Sequence, residues 1–403
     1  MLVDITNLDE FGRGITRVNG KVSFVINALI DEEVEAEIIE EKNKYNILST
    51  NKIIKKSIDR QDPKCPYYLI CGGCNIMHLK YQKQLEYKYN KVTNLLKHFL
   101  KEDINIEKII PSQEYNYRNK ISLKVKDGHL GLYKNKSNDL VEIDNCLLCN
   151  EEINNTIKLL SNIKLNNISE IVIRSNYKNE ILLALFGNNI DKSYYLDALN
   201  DINNIVIIDN KVKDIIKGND FLIDKIGNKF FKVSLESFFQ VNTDGVVKLY
   251  DTVKEYAKLT KKEKLLDLYC GTGTIGLYLS DEAKEVYGIE INDRAVEDAK
   301  ENKLLNKCNN IDFLCSDVGK VKTKFKDIDL VVIDPPRSGL SNESLKNVLD
   351  INSKRIIYVS CDPVTLARDL TTLTKNYKIK EITLVDMFPN TTHCESIMVL
   401  ERR

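Results

Sequence analysis

From about residue 236 to its end, the chain repeats one unit: a short apolar run followed by a polar stretch of helix length. The runs are "EKLLDLYC", "EVYGIE", "NIDFLCSD", "DLVVIDPP" and "RIIYVSC". Apolar runs separated by helical crossovers specify a parallel sheet built from βα repeats. "EITLVDMFP" and "CESIMVLERR" close the chain as two further strands. No other feature constrains the fold as much, because such a sheet gathers its ligands and its chemistry at the C-terminal edge of the strands.

The strand ends are where residue types become informative. "LLDLYCGTGTIGLYLS" reads as a strand, a glycine turn and a helix start, with Gly271, Gly273 and Gly276 in the G-x-G-x-x-G pattern. Such glycines let the backbone turn tightly and approach a ligand. Nineteen residues after Gly271 stands Glu290, at the end of the next run. An acid there can take the ribose hydroxyls of a dinucleotide or of S-adenosylmethionine, and these two features do not separate the cofactors. "VVIDPPRSGL" places Asp334 before Pro335 and Pro336 at the fourth strand end. Each proline locks φ, so the acid is held rigidly. A dehydrogenase has no need of this arrangement, whereas methyltransferases acting on nucleobases carry similar motifs; a structural turn also accounts for the prolines.

The fifth run ends in Cys361, then Asp362 and Pro363. Pro363 suits the first turn of a helix. A thiol near a helix N-terminus is expected to have a pKa below its usual ~8.5. Taken alone, a cysteine here is more often a small core residue. "THCESIMVL" supplies Glu395 at the start of the last strand, where a carboxylate can serve as general base if geometry and pKa allow, or is simply a surface acid.

Upstream the pattern differs. Residues 1–57 alternate weakly, are punctuated by Gly12, Gly14 and the pair Asn19–Gly20, and predict about five short strands forming a small OB-like β-barrel. Residues 58–75 form a loop rich in Cys, Pro and Gly. His78–Leu100 predicts a long amphipathic helix, and about 108–235 reads as hairpins of a central α+β domain. The loop "CPYYLICGGC" holds Cys65, Cys71 and Cys74, three thiols that need a fourth ligand; "EIDNCLLCN" offers Cys146 or Cys149. Four thiolates suit either a [4Fe–4S] cluster or a structural zinc.

"SFFQVN", "DLYCGTGTIGL", "DPPRSGL", "SCDPVTLARDL" and "HCESI" occur in this order and spacing. Together they resemble the S-adenosylmethionine-dependent RNA 5-methyluridine methyltransferases. The upstream part resembles the 23S rRNA branch, which carries a TRAM domain and a cysteine-ligated iron–sulfur cluster. The likeness spans nearly the whole chain and is weakest at about 150–230. It implies a TRAM-like RNA-binding barrel over 1–57, a central iron–sulfur α+β domain over 58–235, and a Rossmann-like class I methyltransferase domain over 236–403. The helix at about 76–100 is expected to pack on the last of these. It also implies Cys361 as nucleophile, Glu395 as base, and Gln240, Tyr269, Glu290 and Asp334 as cofactor-binding residues, with Asp317 a weaker candidate beside the adenine. For the cluster it implies Cys65, Cys71, Cys74 and Cys146, with Cys149 as the alternative. "YNYRNKISLKV" matches as well, so Arg118 and Lys120 are candidates for phosphates or the target pocket. One departure is visible: Asp362 stands where the family pattern commonly has Asn, which puts any amide contact to the uracil in doubt.

Composition fits this reading without proving it. The 403 residues are 43% apolar and 29% charged, with zero formal net charge. No global basic field therefore marks a nucleic-acid binder, although residues 61–130 hold 12 Lys and Arg against 7 Asp and Glu. No run approaches the ~20 apolar residues of a membrane span, and the N-terminus lacks a signal pattern. The expectation is a cytoplasmic enzyme that methylates C5 of a uridine in RNA, with 23S rRNA favoured and uridine-54 of tRNA the alternative. A nicotinamide-dependent iron–sulfur oxidoreductase and a non-catalytic RNA-binding protein are the readings from other classes.

Overall fold

The computed structural model describes residues 1–135, 137–321, 325 and 327–403. It is a mixed α/β structure with several sheets. The largest has eight strands, in the spatial order Ile311–Cys315, Glu285–Glu290, Lys264–Leu268, Leu330–Ile333, Arg355–Ser360, Glu395–Arg402, Tyr377–Val385 and Lys108–Ile110. The first five run parallel. Their sequences explain why: Leu330–Ile333 is buried throughout, and five of the six residues of Arg355–Ser360 are buried. Strands covered on both faces need apolar side chains pointing both ways. Chain order reverses between Lys264–Leu268 and Leu330–Ile333, which opens a crevice at the C-terminal edge.

The last strand, Glu395–Arg402, is antiparallel to both of its neighbours. Its first residue therefore lies at the edge where the parallel strands end. This inversion brings the start of the final strand to the strand-end loops.

Residues upstream of 236 contribute to this sheet. Lys108–Ile110, read from sequence as the opening of the central strand-rich segment, pairs in parallel with Tyr377–Val385. The long helix spans Tyr81–Leu100 rather than starting at His78. His78 is instead fully buried and hydrogen-bonded to Tyr68. Val92 and Leu96 of this helix join the core beneath the eight-stranded sheet. Lys88 is buried as well, and its ammonium meets Asp386 at 2.5 Å and the Phe388 carbonyl at 3.1 Å.

The N-terminal sheet has six strands between Leu2 and Lys55. Asn19 and Gly20 both adopt positive φ, 52° and 80°, in the two-residue turn between Gly14–Val18 and Lys21–Ile26. A seven-stranded sheet follows, from Lys120–Lys126 to Val212–Lys217, with the helices Glu151–Ser161 and Lys192–Ala198. Among the described residues no helix is long and apolar enough to cross a membrane.

Candidate active site

The glycine turn is built as its spacing predicts. Gly271 and Gly273 have φ of +53° and +81°, and a Cβ at Gly273 would lie 2.5 Å from the Phe313 ring. Gly271 differs: a Cβ there would meet nothing within 4 Å. Its surface is open to a ligand. The Gly271 N–H donates to Glu290 Oε2 at 3.1 Å, while Glu290 Oε1 accepts from the N–H groups of Ile291 and Asn292. Glu290 is thus clamped at the turn. Asp267, fully buried below it, accepts from the Gly276 N–H at 2.8 Å and keeps Oδ1 without a partner. Burial is the main reason its carboxyl pKa rises to about 8. The buried hydroxyl of Thr272 is also unpartnered. An open glycine, a clamped acid and orphaned polar atoms fit a polar nucleoside-type cofactor.

Of the other cofactor candidates, Tyr269 and Asp317 lie at this turn. Tyr269 follows the strand at φ +62° and donates to the Ser344 hydroxyl at 2.9 Å. Asp317 accepts from the Gly319 N–H at 2.8 Å and lies close enough to raise the Tyr269 pKa. Gln240 is 9% exposed, and its carbonyl accepts from Asn119.

Asp334, Cys361 and Glu395 converge at the sheet edge. Asp334 and Cys361 follow adjacent parallel strands. Ser360 is paired directly with Ser396, so Cys361 and Glu395 occupy the next rung. Asp334 acts on Glu395, and both carboxylates act on Cys361. Burial pushes Asp334 up to about 7. Burial, then the Asp334 carboxylate, pushes Glu395 up to about 8, with Arg337 opposing. Among the described residues the Glu395 carboxylate has no hydrogen-bond partner.

The expectation of a lowered thiol pKa at Cys361 fails. Burial first, then Glu395 and Asp334, push the thiol up to about 12, against a smaller opposing effect of Arg337. The helix Pro363–Leu373 does begin just beyond, but its N-terminus is already satisfied. Asp362 Oδ1 accepts from Val364 and Thr365 at 3.0 and 2.9 Å. Burial and two nearby carboxylates outweigh a capped helix end.

Two side chains to which the sequence reading gave no role stand out. Arg337, directly after the two prolines, is exposed and unpaired among the described residues, yet acts on Cys361, Glu395 and His393. Phe238, within the "SFFQVN" segment, is 77% exposed. Both lie inside quoted motifs, which was the available signal.

The thiols Cys65, Cys71, Cys74, Cys146 and Cys149 border one cavity of about 550 Å³, together with Arg118. Among the described residues no three His, Cys, Asp or Glu converge to hold a single metal ion. Cys149 is fully buried, and contact with its thiol lowers the pKa of Cys146.

Residues 80–403 match the family model described as tRNA (uracil-5-)-methyltransferase. An uncharacterized RNA methyltransferase of Clostridium acetobutylicum is 36% identical over 444 aligned residues, spanning 99% of this chain and 96% of its own. One from Staphylococcus aureus strain MSSA476 is 33% identical over 435, spanning 98% and 96%. The structure of Pyrococcus abyssi tRNA (uracil-54, C5)-methyltransferase in complex with S-adenosyl-L-homocysteine matches with a TM-score of 0.80 and 26% identity. That match covers 99% of this chain and 100% of the other. The crevice and the strand-end carboxylates thus belong to a nucleobase-modifying methyltransferase. The chain is a member of the tRNA (uracil-5-)-methyltransferase family, an RNA (uracil-5-)-methyltransferase that uses S-adenosylmethionine.

Proposed function

We propose that Cys361 is the nucleophile and Glu395 the base in methylation of uridine C5, with 23S rRNA as substrate. The observation that carries this reading is their placement opposite each other, on the rung after Ser360–Ser396 and beside Asp334, at the edge of the sheet. Bound S-adenosylmethionine supplies the electrophilic methyl group, held by Gln240, Tyr269, Glu290 and Asp334. Uracil C5 is a weak nucleophile. Addition of the Cys361 thiolate to C6 makes C5 enolate-like, and C5 then takes the methyl. Glu395 removes the C5 proton, and the C5–C6 double bond reforms as the thiolate leaves. The target base must leave its stack to reach this edge, and the exposed ring of Phe238 offers it a stacking surface.

Cys65, Cys71, Cys74 and Cys146 would hold a [4Fe–4S] cluster, whose bonds would tie the 65–74 loop to the central sheet. A zinc ion needs its thiolates gathered around one centre; a cluster binds each to a different iron. Thiols spread around a cavity favour the cluster, and the burial of Cys149 favours Cys146. The division at 57 and 235 is part of the same reading: a TRAM-like barrel binding RNA, a cluster domain and a cytoplasmic catalytic unit. The likeness to the Pyrococcus abyssi enzyme favours a second substrate, uridine-54 of tRNA.

The test is to map 5-methyluridine in RNA from a strain lacking the gene. Loss at 23S positions supports the first reading, loss at tRNA position 54 the second, and no loss refutes both. With purified enzyme, Cys361→Ala should abolish a covalent RNA adduct and Glu395→Gln should let it accumulate.

A further inference from the structure

On one face of the seven-stranded sheet, two cations stand directly opposite each other. Lys120 pairs across the strands with Arg174. Side chains opposite one another in an antiparallel pair lie about 5 Å apart at Cβ, and like charges there destabilise the sheet. Four residues along the same face, Lys124 opposes Glu170 and the two form an ion pair at 2.5 Å. The ladder thus uses opposite charges where it is merely structural.

Neither member of the first pair has an anionic partner. Lys120 is half-buried and makes no ion pair or side-chain hydrogen bond among the described residues. Arg174 is only 2% exposed; its Nη2 reaches the Ser237 carbonyl at 3.5 Å and its Nη1 has no partner. Asp224 is the carboxylate whose charge reaches Arg174, but it lies beyond ion-pair distance and is occupied by the N–H groups of Tyr177 and Lys225. A buried guanidinium facing a half-buried ammonium, with no anion paired to either, is a costly arrangement unless an anion completes it.

Its position says which anion. Ser237 precedes the exposed Phe238, and Asn119, next to Lys120, bonds to the Gln240 carbonyl and to the Thr243 hydroxyl at 3.2 Å. The cations therefore flank the segment that leads into the cofactor crevice. Lys120 also borders the cysteine cavity, but there Arg118, not Lys120, is the cation that acts on the thiols.

We infer that Lys120 and Arg174 form a binding site for a backbone phosphate of the RNA, beside the nucleotide that enters the active site. Lys120 makes the contact. Arg174 is a positioning residue: it holds the 237–240 segment and adds positive potential from below. This assignment rests on the RNA-methylation reading.

The test uses the full-length enzyme and a fluorescein-labelled, uridine-containing hairpin RNA, titrated from low to high salt. Losing one phosphate contact lowers the slope of log K against log salt by about 0.7 to 0.9. Lys120→Gln should show that loss and raise KM for unmethylated RNA, with kcat within about twofold of wild type and S-adenosylhomocysteine affinity unchanged. Arg174→Lys should keep the wild-type slope, and Arg174→Gln should reduce it. An unchanged slope and KM in Lys120→Gln overturns the assignment, as does an Arg174→Lys variant as impaired as Arg174→Gln. Wild-type enzyme that methylates no RNA refutes the underlying function instead, so the two failures are distinguishable.

Discussion

Cys361 in the resting enzyme should be a poor nucleophile, and the size of the effect follows from its surroundings. At pH 8 an ordinary thiol of pKa ~8.5 is roughly one quarter thiolate. With burial and two carboxylates raising the pKa to about 12, the thiolate fraction is on the order of one in ten thousand at that pH. A more basic thiolate attacks faster, and a Brønsted coefficient of ~0.45 over ~3.5 units recovers roughly fortyfold of this. The net slowing is about sixtyfold relative to a free thiol. The assay is mixed-disulfide formation with hydroxyethyl disulfide, read at the Cys361 peptide by mass spectrometry, with Cys361→Ala as control. The rate should still be climbing at pH 10, without the plateau of an ordinary thiol. Glu395→Gln removes the larger of the two carboxylate effects and should accelerate the reaction, by about threefold for each pKa unit recovered. A plateau near pH 8.5 in the wild type would falsify the argument, as would a Glu395→Gln variant that reacts more slowly. If S-adenosylmethionine binds beside these carboxylates, as proposed, its positive charge should favour the thiolate more than neutral S-adenosylhomocysteine does.

Other outcomes follow from the same residues. Glu395, Asp267 and Asp334 have folded-state pKa values raised to about 8, 8 and 7. Between their unfolded values near 4 and these, the folded state retains protons that the unfolded state has lost. Ligand-free stability should therefore fall as pH rises from about 4 to 8, and Glu395→Gln should flatten that slope in thermal melts. Melting that improves steadily over this range contradicts the assignment. At Asp362, the capping oxygen is shared by Asn and Asp, so Asp362→Asn should leave stability nearly unchanged, while Asp362→Ala should cost about 1 kcal/mol. Equal destabilisation by both would mean that the second oxygen, not the cap, matters.

Asp362 illustrates how far the sequence could be read. Its departure from the family pattern was visible, but not that the side chain caps the following helix. The helix boundary at Tyr81 was missed because periodicity continues through His78, whereas burial against Tyr68 decides where the helix begins. Lys108–Ile110 looked like its strand-rich neighbours in sequence, since nothing local says which sheet a strand will join.

Local order determined what depends on local geometry. Short apolar runs dictated a parallel sheet, the glycines dictated the turn before Thr274, and strand-end residues named Asp334, Cys361 and Glu395. Only the tertiary structure decided what depends on distance. An antiparallel final strand set Glu395 opposite Cys361, and burial together with two convergent carboxylates reversed the expected direction of the thiol pKa. The opposition of Lys120 and Arg174 was equally invisible, because 54 residues separate them and only strand register makes them neighbours. Electrostatic energy depends on separation and burial, and neither is written in the order of residues along the chain.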